Sequence, residues 1–215
     1  MSEQQIGQYT IKQPVIMVYP KLLTPEAYEN KPDAKKYFSA AFMFKPDSAE
    51  LKAIKTIAAQ VARAKWPGRA FNSIRWPFKN GDELADARKA KSGVDDGFTR
   101  GFVVINTKSK NRPVLSAKVD GKLYEFGEDN LDQNIFRFYP GVLALAALNV
   151  SAYKEQGGGV TIYLNSVFST QKGDRLGGSR RPASETFSEY LGKEVDEDPT
   201  VGMADTSAMD DEIPF

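Results

Sequence analysis

A succession of short apolar runs, each closed by proline, glycine or an Asp-Gly pair, restricts the first 181 residues to a mainly β architecture. Residues 15–19 (Val-Ile-Met-Val-Tyr) are rich in β-branched side chains and stop at Pro20, and residues 37–44 form a second strand candidate ended by Lys45-Pro46-Asp47. The apolar period then changes. Leu51, Ile54, Ile57, Ala58 and Val61 fall on one helical face, and Asp47 with Glu50 has capping-box spacing. This predicts a helix to about Lys65, with Lys52, Lys55 and Arg63 on its wetter side. After turns at 66–81, a weaker helix is expected over 82–91, ending near Gly93. Strands resume at 98–107, 114–119 and 122–126, the last two joined by the hairpin pair Asp120-Gly121, and continue at 134–139, 142–153 and 160–170. The Ala- and Leu-rich run at 142–148 reads as strand because Pro140-Gly141 and Gly157-Gly158-Gly159 bracket it closely. The expected fold is mainly β: an OB-fold-like β-barrel with inserted helices and a disordered acidic C-terminal tail.

Composition narrows the chemistry. The sequence has no Cys and no His, which removes a disulfide framework, a thiol nucleophile, a Ser-His-Asp triad and an ordinary zinc site. The formal charge of +1 conceals a division. Residues 1–181 hold 28 basic and 18 acidic side chains, a net of +10, whereas residues 182–215 hold one basic and ten acidic, a net of −9. Opposite signs in two parts of a chain suit nucleic-acid contact combined with an interaction tail. Two domains follow, a folded body at 1–181 and a tail at 182–215. The tail has few large apolar residues and is interrupted by Pro199, Gly202 and Pro214, so burial there does not offset ordering entropy. Its tip, Asp210, Asp211, Glu212, Ile213, Pro214 and Phe215, places carboxylates before an apolar plug, which suits a partner pocket with a basic rim and an apolar floor. No apolar run approaches the ~18 residues of a membrane span, and the N-terminus lacks a secretory pattern, so a soluble intracellular protein without membrane contact is expected.

Several segments interleave rings and cations. Rings stack on any base without sequence choice, at about 1–3 kcal/mol per base, and Lys or Arg pair with phosphates. In the first segment, from Arg69 to Lys79, Arg75, Trp76, Phe78 and Lys79 lie on a Pro-stiffened loop; Trp76 equally suits capping of the barrel end, and Phe71 suits core. On a strand over 98–107, Phe98, Arg100 and Phe102 share one face, and Lys108, Lys110 and Arg112 follow on the loop. Lys122 and Tyr124 share a hairpin face with Phe126. Arg137 and Tyr139 alternate with Phe136 and Phe138, and the first pair is expected to face outward.

An enzyme would have to use carboxylates, from Asp82, Glu83, Asp86, Asp95 and Asp96 or from Glu128, Asp129 and Asp132. Helix N-termini and turns attract acids without any catalysis, so the non-catalytic reading is preferred. No Walker-type loop follows Gly157-Gly158-Gly159.

Two resemblances carry further expectations. The last six residues resemble the tip of bacterial single-stranded DNA-binding proteins, with Glu212 where aspartate is more usual. The body is similar instead to a family of bacteriophage single-stranded DNA-binding proteins with an OB-fold core. The matching stretches are Phe-Tyr-Pro-Gly at 138–141, Gly-Gly-Gly-Val-Thr-Ile-Tyr-Leu-Asn-Ser-Val-Phe at 157–168 and Lys-Gly-Asp-Arg-Leu-Gly-Gly at 172–178. With the early strands, the likeness covers most of residues 10–180. It implies non-sequence-specific binding of single-stranded DNA in phage replication, recombination or repair, in the cytoplasm of an infected bacterial host. It also implies no catalysis, cofactor or metal, and a tip that recruits phage or host replication and recombination proteins. Oligomeric state is left open, including a homo-oligomer. The alternatives are a strand-annealing recombination protein and, less favoured, a Mg²⁺-dependent nuclease.

Overall fold

The computed structural model describes residues 7–27, 35–93, 97–119 and 121–176. Nine strands occur among them: β1 (Gly7–Thr10), β2 (Val15–Ala27), β3 (Lys36–Phe44), β4 (Phe78–Asn80), β5 (Val103–Ser109), β6 (Val114–Val119), β7 (Lys122–Phe126), β8 (Leu143–Tyr153) and β9 (Gly159–Gln171). The helices are α1 (Ala49–Lys65), α2 (Gly81–Ser92) and α3 (Glu128–Asn134). Neighbouring strands run β2-β3-β5-β9-β8, and β8 pairs back onto β2, so five strands close into a ring. All these pairings are antiparallel except β5 with β9. That is the OB-fold barrel expected from the sequence. Among the described residues no helix is long and apolar enough to cross a membrane.

Period-two patterning fills the barrel. Ala144, Ala146, Leu148 and Val150 of β8 are buried, as are Ile162 and Leu164 of β9 and Phe42 and Phe44 of β3. Strand wins over the helical preference of Ala and Leu at 142–148 because β8 pairs β9 along its length, and β1 and β2 on its other edge. Helix α1 lays Leu51, Ile54, Ala58 and Val61 into the same core. Its cap differs from the expected Asp47 box: Ser48 Oγ accepts from Leu51 N–H at 3.4 Å. Glu50 turns inward instead, accepting from the Tyr9 hydroxyl and from the backbone N–H groups of Lys12 at 3.2 Å and Gln13 at 3.1 Å. It thereby ties β1, a strand not expected from the sequence, to the helix.

Other departures have local causes. β2 continues past Pro20 because the register shifts between Val18 and Lys21, with Tyr19 at φ 51°, so the proline is not required to donate to the ladder. The expected strand over 98–107 begins only at Val103. Gly97–Thr99 is a 3₁₀ turn, and Gly101 sits at φ +75°. Gly81 anchors that turn: its N–H donates to the Phe102 carbonyl at 2.8 Å, and Thr99 Oγ1 donates to its carbonyl at 2.8 Å. The expected strand at 134–139 is also absent. α3 runs to Asn134 and a 3₁₀ turn occupies Ile135–Arg137, pinned by buried Leu131 and by the Phe138 N–H donating to the Ile135 carbonyl at 2.8 Å.

Candidate nucleic-acid interface

The barrel wall is incomplete where β5 and β9 diverge, since one register pair, Lys108 opposite Tyr163, joins them. The 66–80 segment fills the gap. β4 pairs β5 through Phe78, Lys79 and Asn80, and Arg75 bridges to Gly159, its carbonyl accepting from Val160 N–H at 2.9 Å. This puts a run of rings and cations on the barrel end. Phe71 meets Trp76 edge-on with centroids 5.6 Å apart, and Trp76 stacks on Phe78 at 6.3 Å and 21°. The Trp76 indole N–H donates to the Phe71 carbonyl at 3.0 Å, which fixes the ring's orientation. The Arg63 guanidinium lies 5.2 Å from the Phe71 ring centroid and the Lys55 ammonium 5.8 Å from that of Phe78.

Trp76 and Phe78 are half-buried and pack on the main core, so they both cap the barrel and present ring surface. Phe71 reverses the expectation of a core residue, being 37% exposed. Arg69 holds the segment in place: Nε donates to Ser73 Oγ at 3.0 Å, and Nη2 donates to the carbonyls of Ser73 at 2.8 Å and Gly157 at 2.7 Å. Its guanidinium also covers Trp66 at 5.3 Å.

A second group lies along β3, β5 and β9. Lys108 Nζ stands 5.2 Å from the Tyr37 ring, and Tyr163 is its partner in register. Burial first, then the charges of Tyr37 and Glu155, raise the Tyr163 hydroxyl above its usual pKa. Arg112 covers Phe38 at 5.7 Å and donates to the Leu23 carbonyl at 3.1 Å, and Lys110 is exposed.

Phe98, Arg100 and Phe102 do not share a strand face, because the Gly101 turn replaces the strand. Phe98 and Phe102 pack with Tyr19 and Leu84 over Val18, Ala41, Met43 and Val104, an apolar cluster outside the barrel. Arg100 pairs with Asp86 at 2.6 Å. On the hairpin, Lys122 is exposed and Tyr124 47% exposed, its hydroxyl accepting from Asn130 at 3.1 Å, while Phe126 is buried.

Arg137 and Tyr139 do not alternate on a strand as expected, because of the 3₁₀ turn. Phe136, expected inside, is 55% exposed, whereas Phe138 is buried. Arg137 and Tyr139 instead line a cleft of about 420 Å³ together with Phe136, Lys118, Lys172 and Arg175.

Two of the carboxylates weighed for catalysis have structural partners. Asp82 accepts from Gly101 N–H at 3.1 Å, and Asp86 holds Arg100. Among the described residues no three His, Cys, Asp or Glu side chains come close enough to hold a metal. Asp95, Asp96 and the tip residues 210–215 lie outside the described residues.

Sequence reasoning did not single out Tyr37, Lys55, Arg63, Trp66 or Tyr163 as interface candidates, whereas Arg69 opened its first ring-and-cation segment. Lys55 and Arg63 were legible only as the wet side of a helix, since nothing in a linear pattern pairs them with rings at 78 and 71. Arg69 was visible beside Phe71, but its bond to Gly157 spans 88 residues.

A five-stranded OB ring whose end and flank carry rings overlaid by Lys and Arg defines the class: an OB-fold protein with an aromatic and cationic surface. The chain belongs to the family of the Enterobacter phage Enc34 single-stranded DNA-binding protein, whose family model matches residues 9–200. Among solved structures it is similar to the single-stranded DNA-binding protein from bacteriophage Enc34 in complex with ssDNA, with TM-score 0.61 and 19% identity over 80% of this chain and 90% of that one. A second structure of the single-stranded DNA-binding protein from bacteriophage Enc34 gives TM-score 0.57 and 18% identity over 84% of this chain and 90% of that one. The gp2.5 single-stranded DNA-binding protein encoded by bacteriophage T7 gives 0.51 and 11% over 90% and 98%. These structural likenesses concern the fold. No curated protein matches significantly.

Proposed function

We propose that this chain binds single-stranded DNA without sequence choice, as a non-catalytic protein that protects the strand during phage replication, recombination and repair in the infected host's cytoplasm. The observation carrying this reading is the row Phe71–Trp76–Phe78 overlaid by Arg63 and Lys55, with Tyr37 under Lys108 as a second such pair. Rings offer stacking surface to any base, and the flanking cations suit phosphates. Membership of a phage single-stranded DNA-binding family supports the same reading. The acidic tail, net −9 from residue 182 onward, would compete with DNA for the basic body and offer its tip to replication and recombination proteins.

Titrating oligo-dT and a mixed-sequence strand while following Trp fluorescence tests the binding. Both strands should bind with similar affinity, weakening as salt rises; sequence preference or salt independence would overturn the proposal. Deleting residues 182–215 should tighten binding most at low salt, where screening is weakest. Unchanged low-salt affinity would remove the competition. Intact labelled strands after incubation with Mg²⁺ exclude the nuclease, and unaccelerated pairing of complements excludes the annealing protein.

A further inference from the structure

The cleft at the far end of β9 has the wrong charge to be a packing remnant. Lys118, Arg137, Lys172 and Arg175 converge on it, with Phe136 and Tyr139 as walls, and among the described residues no Asp or Glu lines it. Four like charges around one opening repel one another, and an anionic ligand would relieve that repulsion. The cations are also pre-positioned. The Tyr139 hydroxyl donates to the Gly173 carbonyl at 2.8 Å and accepts from the Gly173 N–H at 3.0 Å. Leu176 N–H donates to the Pro140 carbonyl at 2.9 Å, so the segment bearing Lys172 and Arg175 is tied down on both sides. Arg175 lies 4.6 Å over the Tyr139 ring and Arg137 4.9 Å over Phe136, whose 55% exposure leaves a ring face at the rim.

We infer that this cleft is a second phosphodiester-binding site, engaging a strand whose other contact is the 66–79 platform. The inference rests on the single-stranded DNA reading above. The platform adjoins Gly159 at the start of β9, and the cleft is lined by Ser169 and Thr170 near its end. Ten strand steps separate Gly159 from Ser169, roughly 33 Å along β9 at ~3.3 Å per residue. Rings beside the cations favour nucleic acid over an acidic peptide, which has no base to stack. A strand long enough to reach both sites gains from the second contact as an intramolecular event, whereas a short one cannot.

The test compares the full chain with its Lys172→Ala/Arg175→Ala variant on oligo-dT from about 4 to about 30 nucleotides. Four nucleotides cannot span the gap even at about twice the ~3.4 Å spacing of a stacked strand. On long strands the slope of log Kobs against log salt should become shallower by about 1.4, two phosphate contacts at ~0.7 each. On the shortest strands the platform affinity should stay within about twofold of wild type. An unchanged slope on long strands overturns the second site, and so does equal loss at every length, which merges these residues with the platform. Unchanged long-strand binding in the variant together with lost capture of an acidic peptide would assign the cleft to peptide and overturn the second DNA site. Absence of binding by the wild-type chain at any length would refute the DNA reading itself. If circular dichroism shows the variant unfolded, Lys118→Ala/Lys172→Ala, both on exposed side chains, carries the same expectations.

Discussion

Replacing Arg69 separates a residue that holds the aromatic platform from one that holds phosphate. The side chain makes three hydrogen bonds, at 3.0, 2.8 and 2.7 Å, and stacks on Trp66. Two of the bonds stay within the 69–73 turn, and the third crosses to Gly157 beside β9. The packing there is tight: a Cβ on Gly158 would sit 2.9 Å from both Arg69 Nη1 and Trp66 Cζ2. At roughly 1 kcal/mol net for each bond, reduced by partial exposure, the clamp contributes about 2–3 kcal/mol to the closed loop. That bounds the loss of affinity at roughly 30- to 150-fold if DNA requires the closed platform. Arg69→Ala and Arg69→Lys should both approach it, since an ammonium cannot satisfy three acceptors in a planar fork. The salt slope should stay within about 0.7 of wild type for both, because no phosphate contact is lost. Oligo-dT titrations followed by Trp fluorescence at several salt concentrations provide the measurement, and amide exchange should rise in the 155–158 turn. Wild-type affinity in Arg69→Lys with a shallower slope in Arg69→Ala would refute the clamp and make Arg69 a phosphate ligand.

Three further outcomes follow from the same geometry. Tyr37→Ala should weaken oligo-dT binding by about 1–3 kcal/mol, roughly 5- to 150-fold, while Tyr37→Phe leaves it unchanged; equal loss in both would show that the hydroxyl, not the ring, matters. Gly81→Ala should lower stability in a urea melt by about 3 kcal/mol or more, because its Cβ would stand 1.9 Å from the Thr99 carbonyl oxygen, and a change below about 0.5 kcal/mol would refute that packing. Tyr9 is pushed up from 10.0 to about 12 by burial, then by its hydrogen bond to Glu50 and that carboxylate's charge. Its protonated form is therefore favoured in the fold: the contribution is complete below pH 10.0 and is lost as pH rises through about 12. A two-unit rise corresponds to at most ~2.7 kcal/mol, and partial exposure lowers this to about 1–2. Tyr9→Phe should flatten the stability-versus-pH curve by that amount between pH 10 and 12 in chemical melts, and parallel curves would exclude the linkage.

Legibility followed the range of the interactions that decide each element. β8 and β9 were readable because Pro140-Gly141 and Gly157-Gly158-Gly159 bracket them, and their alternation buries one face, as with Ile162 and Leu164 against Val150 and Leu148. The hairpin of β6 and β7 was readable because Gly121, at φ +81°, supplies a conformation its neighbours resist. Phe98 to Phe102 misled because their alternation is that of a strand, whereas the deciding contact is Gly81 against Thr99 and Phe102, twenty residues away. Residues 134–139 misled likewise, since Leu131 anchors a helix that runs into a 3₁₀ turn before any strand can start. The candidate interface divides the same way. Its cations and rings were visible as composition, but their pairing depends on α1 lying beside the 71–78 segment and on β5 meeting β9 at Lys108 and Tyr163. The parallel pairing of β5 with β9 closes the ring, and their divergence beyond it makes room for the 66–80 segment. The interface is thus set by how the barrel closes, which no local run of residues encodes.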